Sequence, residues 1–393
     1  MSEKINTEIA IVGAGLVGLS AAVMCAKLGK KVVLIDNQAI KIKPLSDDFD
    51  TRIYALTPPS VAWLQSIGVW EFVDTTRVTP IASMQLWQHD AADALVLADS
   101  DAHVENLGVI IENQNLMQAL QQQLNTLDVT VMTDAVCQNL ENTLETNDLT
   151  VFKGQKTVKI QAKLLLAADG AGSWVRQATG ISVKTKDFNQ TALVANFVTQ
   201  KPHNNAAMQW FRPHDTLALL PLSGQKVSLV WSLSTERAVE LLNQRADVFA
   251  AAVTQHTNGV LGDLTNIGEV KSFALQQQTA NDLVADKLVL LGDAAHTIHP
   301  LAGQGVNLGF RDVMVLETQL NQLHSMQTIA DAQMLKHYAR LRKLDVTNIN
   351  SLTSGLDSWF AEDNEMIKNV SNWGFKRLNG FKMAKKLLIQ QVA

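Results

Sequence analysis

Three glycines and one acid near the start of the chain have the spacing to hold a dinucleotide. Gly13-x-Gly15-x-x-Gly18 follows a short apolar run, and Asp36 closes the next one. Gly13 permits a tight turn from strand to helix, and Gly15 lets a pyrophosphate approach the backbone. Gly18 lets helix and strand pack closely, while the helix N-terminus faces the anionic phosphates. Asp36 stands where a carboxylate accepts hydrogen bonds from an adenosine ribose. Glycines at this spacing could serve only to pack a helix, but the strand, helix, second strand and acid are all in place. That context makes the motif a binding turn, though it does not separate FAD from NAD.

A second constellation does. LVLLGDAAHTIHPLAGQGVNLGFRD runs from an apolar strand through Gly292-Asp293 into a glycine-bearing loop and a helix from about Val306. Asp293, at a strand end, suits a polyol hydroxyl such as the ribityl chain of FAD, and it could equally cap a helix. The loop from Pro300 to Gly305, with Gly303 inside it, brings backbone close to a flat ring. The helix that follows, opening with Val306 and Asn307, aims its positive end at flavin N1 and O2, where charge develops on reduction. His296 and His299 have no carboxylate or cysteine companions at ligand spacing, so they read as structural or pocket-lining, and no metal site is expected. There is no Ser/His/Asp arrangement for nucleophilic catalysis, and no catalytic side chain can be named.

The elements that must position these groups follow from periodicity. EIAIVGAG reads as a strand, LVGLSAAVMCAKLGK as an alanine-rich helix ending near Gly29, and KVVLID as a second strand. That βαβ unit implies a parallel sheet with a right-handed crossover. VTVMTDAV and KLLLAADG read as further core strands of the same domain. Residues 76–104 and 186–270 instead alternate apolar and polar side chains, as in ASMQLWQ, TALVANFVT and KVSLVWSLS, which fits an antiparallel sheet covering a pocket. The fold class is therefore α/β: a discontinuous Rossmann-type FAD-binding domain (1–75, 105–185 and 271–335), an inserted, mostly antiparallel β-sheet substrate domain (76–104 and 186–270) and C-terminal helices (336–393).

Composition agrees with a folded enzyme. Of 393 residues, 47% are hydrophobic and 18% charged, against disorder. The 33 basic and 38 acidic residues leave a net charge of −5, and no nucleic-acid partner is expected. Cys25 and Cys137 read as free thiols of a reducing compartment. The apolar run 9–26 resembles a signal peptide or membrane span, but its acidic flank and three glycines fit the buried strand–turn–helix better. No transmembrane helix is expected.

These stretches resemble the class A flavin aromatic hydroxylases, with their p-hydroxybenzoate-hydroxylase-like fold, and among them the ubiquinone-biosynthesis hydroxylases most closely. GAGLVGLS, TRIYALTPPSVAWLQSIGVW, IENQNLMQAL, AADGAGSWVR, GDAAHTIHPLAGQGVNLGFRDV and YARLRKLDVTN carry the likeness. It implies that Arg52 meets the FAD pyrophosphate region, that Asn113 is a polar flavin contact, and that the Val136 backbone meets adenine. It also implies that Asp169 lies near the pyrophosphate and the path of the reductant. Arg52 could instead be a surface ion-pair residue and Asn113 a helix cap. The expected activity is hydroxylation of a prenylated phenol with O2 in ubiquinone biosynthesis, through a flavin C4a-hydroperoxide, with NADH, NADPH or another reductase as a transient donor. Another FAD-dependent oxidoreductase of the superfamily and a non-catalytic FAD scaffold remain alternatives; the halogenase signature Trp-x-Trp-x-Ile-Pro is absent.

The expected location is cytoplasmic, with peripheral contact at the inner face of a membrane left open, as are homo-oligomers and a biosynthetic complex. The contact would come from residues 364–393, where Lys368, Lys376, Arg377, Lys382, Lys385 and Lys386 are interleaved with Trp373, Phe375, Phe381 and Leu387-Leu388-Ile389. A basic amphipathic helix of this kind lies on an anionic surface or packs against its own protein, and the residues fit either.

Overall fold

The computed structural model describes residues 3–40, 45, 46, 48–88, 94–213, 215–298, 305–361, 385, 386 and 389. The first sheet is built on parallel strands β1 (Glu3–Val12), β2 (Val32–Ile35), β8 (Val129–Met132), β11 (Lys156–Ala167) and β18 (Leu288–Leu290), in the order β18-β11-β1-β2-β8. β17 (Val284–Ala285) extends one edge antiparallel, and β10 (Asn147–Lys153) and β9 (Ala135–Asn142) form a hairpin on β11. Ile9, Ala10 and Ile11 are all fully buried, as expected of a central parallel strand covered on both faces. One expectation is corrected here. VTVMTDAV is not a single strand: Asp134, at φ +52°, turns the chain between β8 and β9.

Helix α1 (Leu16–Lys27) is buried from Leu19 to Cys25. It has no polar face because α2 (Pro58–Ser66), α4 (Asn113–Asn125) and α8 (Gly305–Asn321) share one apolar core with it. It stops short of Gly29, whose φ of +72° ends the helix. α9 (Ala332–Ala361) packs on α8, and a three-stranded sheet of β3 (Ile53–Leu56), β7 (Val109–Glu112) and β4 (Thr79–Pro80) stands beside them. No helix among the described residues is long and apolar enough to cross a membrane.

The second sheet takes β5 (Ser83–Gln88), β6 (Leu95–Ala98), β12 (Val183–Thr199), β13 (Ala206–Arg212), β14 (Asp215–Leu222), β15 (Lys226–Ser234), β16 (Leu264–Ala280) and a short β19 (His296–Thr297). Its order is β19-β16-β12-β15-β14-β13-β5-β6, antiparallel throughout except where β5 meets β13. Alternation splits its side chains. Leu193, Ala195, Phe197, Leu217, Leu219 and Leu229 face a core covered by α6 (Thr235–Leu242) and α7 (Ala246–His256). Asn196, Ser228 and Leu220 face the other way, towards Phe49, Ile53 and Ala55 of the first domain. Two short helices, α3 (Asp99–Ala102) and α5 (Trp174–Ala178), close turns at the sheet ends.

Most of the basic C-terminal stretch lies outside the described residues. At the turn that is described, Lys385 pairs with Asp101 at 3.1 Å. Ile389, 4% exposed, joins the apolar cluster of Ile81, Leu97, Ala102 and Leu222. At this turn the stretch packs on its own protein.

Candidate functional site

The strand-to-helix turn after β1 has the construction its glycines imply. Gly13 sits at φ +103°, and a Cβ there would lie 2.3 Å from the Ala168 carbonyl oxygen. A Cβ on Gly18 would lie 1.8 Å from the Gly13 oxygen. Both positions therefore require glycine for packing. Gly15 differs: nothing lies within 4 Å of where its Cβ would point, so the space in front of the α1 N-terminus is open. Asp36 faces the same turn, accepting the Ala14 N–H at 2.6 Å and the Gln38 N–H at 2.8 Å.

Neighbouring strand ends complete this side. The Asp36 carbonyl accepts the Ala135 N–H at 2.9 Å, which brings the half-exposed Val136 alongside. Burial pushes the Cys137 thiol up to about 12, and the nearby charges of Asp169 and Asp36 add to it, so the two carboxylates flank this cysteine. The Asp169 backbone abuts Gly13. Its carboxylate accepts the Ser173 hydroxyl at 2.6 Å and the Val175 N–H at 3.1 Å, which ties it to the start of α5.

A second group gathers at the other end of the cleft. Asn113 N–H donates to the Arg52 carbonyl at 2.9 Å, and the Tyr54 hydroxyl bonds the Asn113 amide oxygen at 3.3 Å. The Arg52 guanidinium stands 5.7 Å from the Tyr54 ring centre. Asp293 sits in the turn Gly292–Ala294 after β18, exposed at the surface yet partly desolvated by the protein around it. That desolvation raises its carboxyl pKa, His296 and Arg52 pull it back, and Asp312 pushes it up again. The charges of Arg52 and Asp293 also act on the Tyr54 hydroxyl, so the three groups share one electrostatic environment, which sequence separation did not reveal. Gly305, Val306 and Asn307 open α8, whereas Gly303 and His299 lie outside the described residues. The Asn307 side chain serves the fold: it accepts the Thr57 N–H at 3.0 Å and donates to the Ala55 carbonyl at 2.8 Å, tying α8 to β3.

Two ionic clusters with no assigned role in the sequence hold this geometry. Asp312 on α8, 1% exposed, accepts from Gly292 N–H at 2.7 Å, His296 Nε2 at 2.8 Å and Arg342 Nε at 2.6 Å. Burial alone would raise its pKa, but His296 and Arg342 more than offset that and leave it below the usual carboxylate range. His296 thus serves the turn that carries Asp293. Among the described residues no group of acids, cysteines and histidines could hold a metal. In the second cluster, Glu112 forms a two-pronged pair with Arg77 at 2.6 and 2.7 Å and accepts the Asp50 N–H at 2.6 Å. Arg77 also donates to the Ser46 carbonyl at 2.8 Å and lies 4.4 Å over the Phe49 ring, so the strap leading into Arg52 hangs on this pair.

Residues 6–351 match the family model described as FAD binding domain. The chain is 33% identical over 359 residues to the 3-demethoxyubiquinol 3-hydroxylase of Escherichia coli K12, covering 90% of this chain and 89% of that one. It is 30% identical over 435 residues to the human mitochondrial ubiquinone biosynthesis monooxygenase COQ6, covering 97% and 91%. Among solved structures, the p-nitrophenol 4-monooxygenase PnpA of Pseudomonas putida DLL-E4 superposes with a TM-score of 0.80 at 16% identity, covering 99% and 98% of the two chains. That last likeness is one of fold.

Proposed function

Because this chain belongs to the FAD binding domain family, with ubiquinone-biosynthesis hydroxylases among its relatives, we propose that it hydroxylates the ring of a prenylated phenol in ubiquinone biosynthesis. The observation that carries the reading is 33% identity to a hydroxylase along about nine-tenths of both chains. The residues fit FAD. The open space before Gly15 and the α1 N-terminus receive the pyrophosphate, and Asp36 and the Val136 backbone receive the adenosine. Arg52 and Asp169 would lie by the pyrophosphate as well, and Asn113, Asp293 and the Gly305–Asn307 turn of α8 would hold the ribityl chain and flavin. Bound FAD, reduced by NADH, NADPH or a separate reductase, supplies the oxygen-activating chemistry.

The chain's own task is to orient the ring and keep water away from it. The inner face of the second sheet suits an apolar phenol. Leu220, Met84 and Leu86 are half-buried there beside Ile53 and Ala55 of β3. The test is incubation of the FAD-loaded protein with NADH or NADPH, a prenylated phenol and isotopically labelled dioxygen. A product carrying one labelled oxygen atom is expected. Release of FMN on denaturation, or nicotinamide oxidation that no prenylated phenol accelerates, overturns the reading.

A further inference from the structure

On the face of the second sheet turned to the first domain, two adjacent polar side chains carry atoms with no partner among the described residues. Asn196 on β12 and Ser228 on β15 are register partners, so their side chains stand side by side on one face. They are 2% and 1% exposed. The Asn196 amide nitrogen donates to the carbonyls of Phe49 at 3.0 Å and Asp50 at 3.3 Å. That contact fixes the amide and leaves its oxygen for another partner. Among the described residues, neither Asn196 Oδ1 nor Ser228 Oγ has one. Buried polar atoms are normally paired, so two neighbouring exceptions call for a ligand.

Their surroundings define its chemistry. The other register partner of Ser228 is Leu220, which, like Phe49, Ile53, Met84 and Leu86, is packed against the apolar cluster of Ile81, Leu97, Ala207 and Leu222. The polar pair therefore stands at one end of an apolar strip. The β12–β16 ladder is also interrupted between Val194 and Asn196, a kind of bulge that re-aims side chains and is frequent beside active sites. An amide oxygen only accepts, whereas a hydroxyl both donates and accepts. A single O–H on an apolar body satisfies both atoms. A carboxylate does not, since it would set its oxygen against the Asn196 oxygen.

We infer that Asn196 Oδ1 and Ser228 Oγ receive the ring hydroxyl of the phenol. The phenol hydrogen goes to Asn196, the Ser228 hydroxyl donates to the phenol oxygen, and the prenyl chain lies along Leu220, Met84 and Leu86. This assignment names the recognition residues of the function proposed above and rests on it.

The test pairs a change in the protein with a change in the probe. The FAD-loaded wild type, Ser228→Ala and Ser228→Thr are titrated with ortho-farnesylphenol and with farnesylbenzene, which lacks the hydroxyl, and flavin absorbance reports binding. The Ser228 hydroxyl has no hydrogen bond to lose among the described residues, so flavin content and melting temperature should stay at wild-type values. The wild type should favour the phenol, and Ser228→Ala should lose about threefold to tenfold of that preference, the worth of one hydrogen bond. Farnesylbenzene should bind both proteins alike, and Ser228→Thr, which keeps the hydroxyl, should retain the preference. An undiminished preference in Ser228→Ala, in a wild type that does hydroxylate the phenol, overturns this inference alone. A wild type that holds FAD yet neither binds nor hydroxylates any phenol overturns the proposed function with it.

Discussion

Asp293 and Asp312 flank one turn and should fail in opposite ways when removed. In Asp312→Ala, Arg342, whose side chain is 2% exposed, keeps Asp345 and the Leu308 carbonyl but loses its buried carboxylate, and the Gly292 N–H loses its acceptor. Breaking a buried ion pair from one side costs about 3–5 kcal/mol, and an orphaned buried N–H adds about 1–3 kcal/mol. The two overlap because they share one carboxylate. A loss of about 4 kcal/mol is expected, a large part of the roughly 5–15 kcal/mol that holds a typical fold. Asp293→Ala should do the reverse. Its carboxyl pKa is raised by desolvation, so the charged form weakens the fold as pH rises past the ordinary carboxylate range. Removing it should leave the apoprotein at least as stable at neutral pH. FAD affinity should fall about tenfold to a hundredfold, the worth of a charge-assisted hydrogen bond of about 1.5–3 kcal/mol. Urea denaturation of the apoproteins and flavin titration of each variant measure both quantities. Asp312→Ala within about 1 kcal/mol of wild type, or an unchanged FAD dissociation constant in Asp293→Ala, refutes the division of labour.

Gly13→Ala should fail to fold the turn, since its Cβ meets the Ala168 carbonyl, whereas Gly15→Val should fold normally and lose flavin; melting temperature and flavin content separate them. Asp215, partly buried beside Trp231 and His256, has its carboxyl pushed up to about 6 chiefly by desolvation. A raised acid contributes stability below its unfolded value and loses it as pH rises through about 6. Asp215→Asn should thus be more stable than wild type at pH 8 by about 1 kcal/mol after allowance for solvent screening, and equal to it near pH 4, by denaturant titration at both. Ile389→Ala should cost about 2 kcal/mol by the same titration, since it empties a place among Ile81, Leu97 and Leu222. An unchanged midpoint would remove the packed role of the C-terminal turn.

The βαβ turn was legible because every constraint on it is local. Gly13, Gly15, Gly18 and Asp36 lie within one supersecondary unit, and each glycine has a steric task that spacing alone states. The apolar strands β1, β11 and β18 were legible for a similar reason: strands buried on both faces read as uninterrupted apolar runs. The ionic clusters were not. Asp312 meets Arg342 across 30 residues, and Glu112 meets Arg77 across 35. Neither pairing has a periodic signature, because two helices or two sheets must first be packed. The same holds for Asn196 and Ser228, ordinary strand residues until the register of β12 against β15 sets them side by side. The corner at Asp134 was missed because VTVMTDAV keeps an apolar pattern across it.

The order of strands in the first sheet bears on how the protein is made. β1 leaves the ribosome before the other described strands, yet its neighbour on one side is β11, and one of the helices that cover α1 begins at Gly305. At about 5–20 residues per second, most of a chain this long must be synthesised before α8 can dock. For much of translation the apolar stretch 9–26 is therefore without its final cover, and it is the same stretch that resembles a membrane span. A nascent chain halted before β11 should be held by chaperones that bind apolar segments, and one extended past α8 should be released. The nucleotide turn, synthesised before its neighbours, would then be among the last parts of the molecule to take shape.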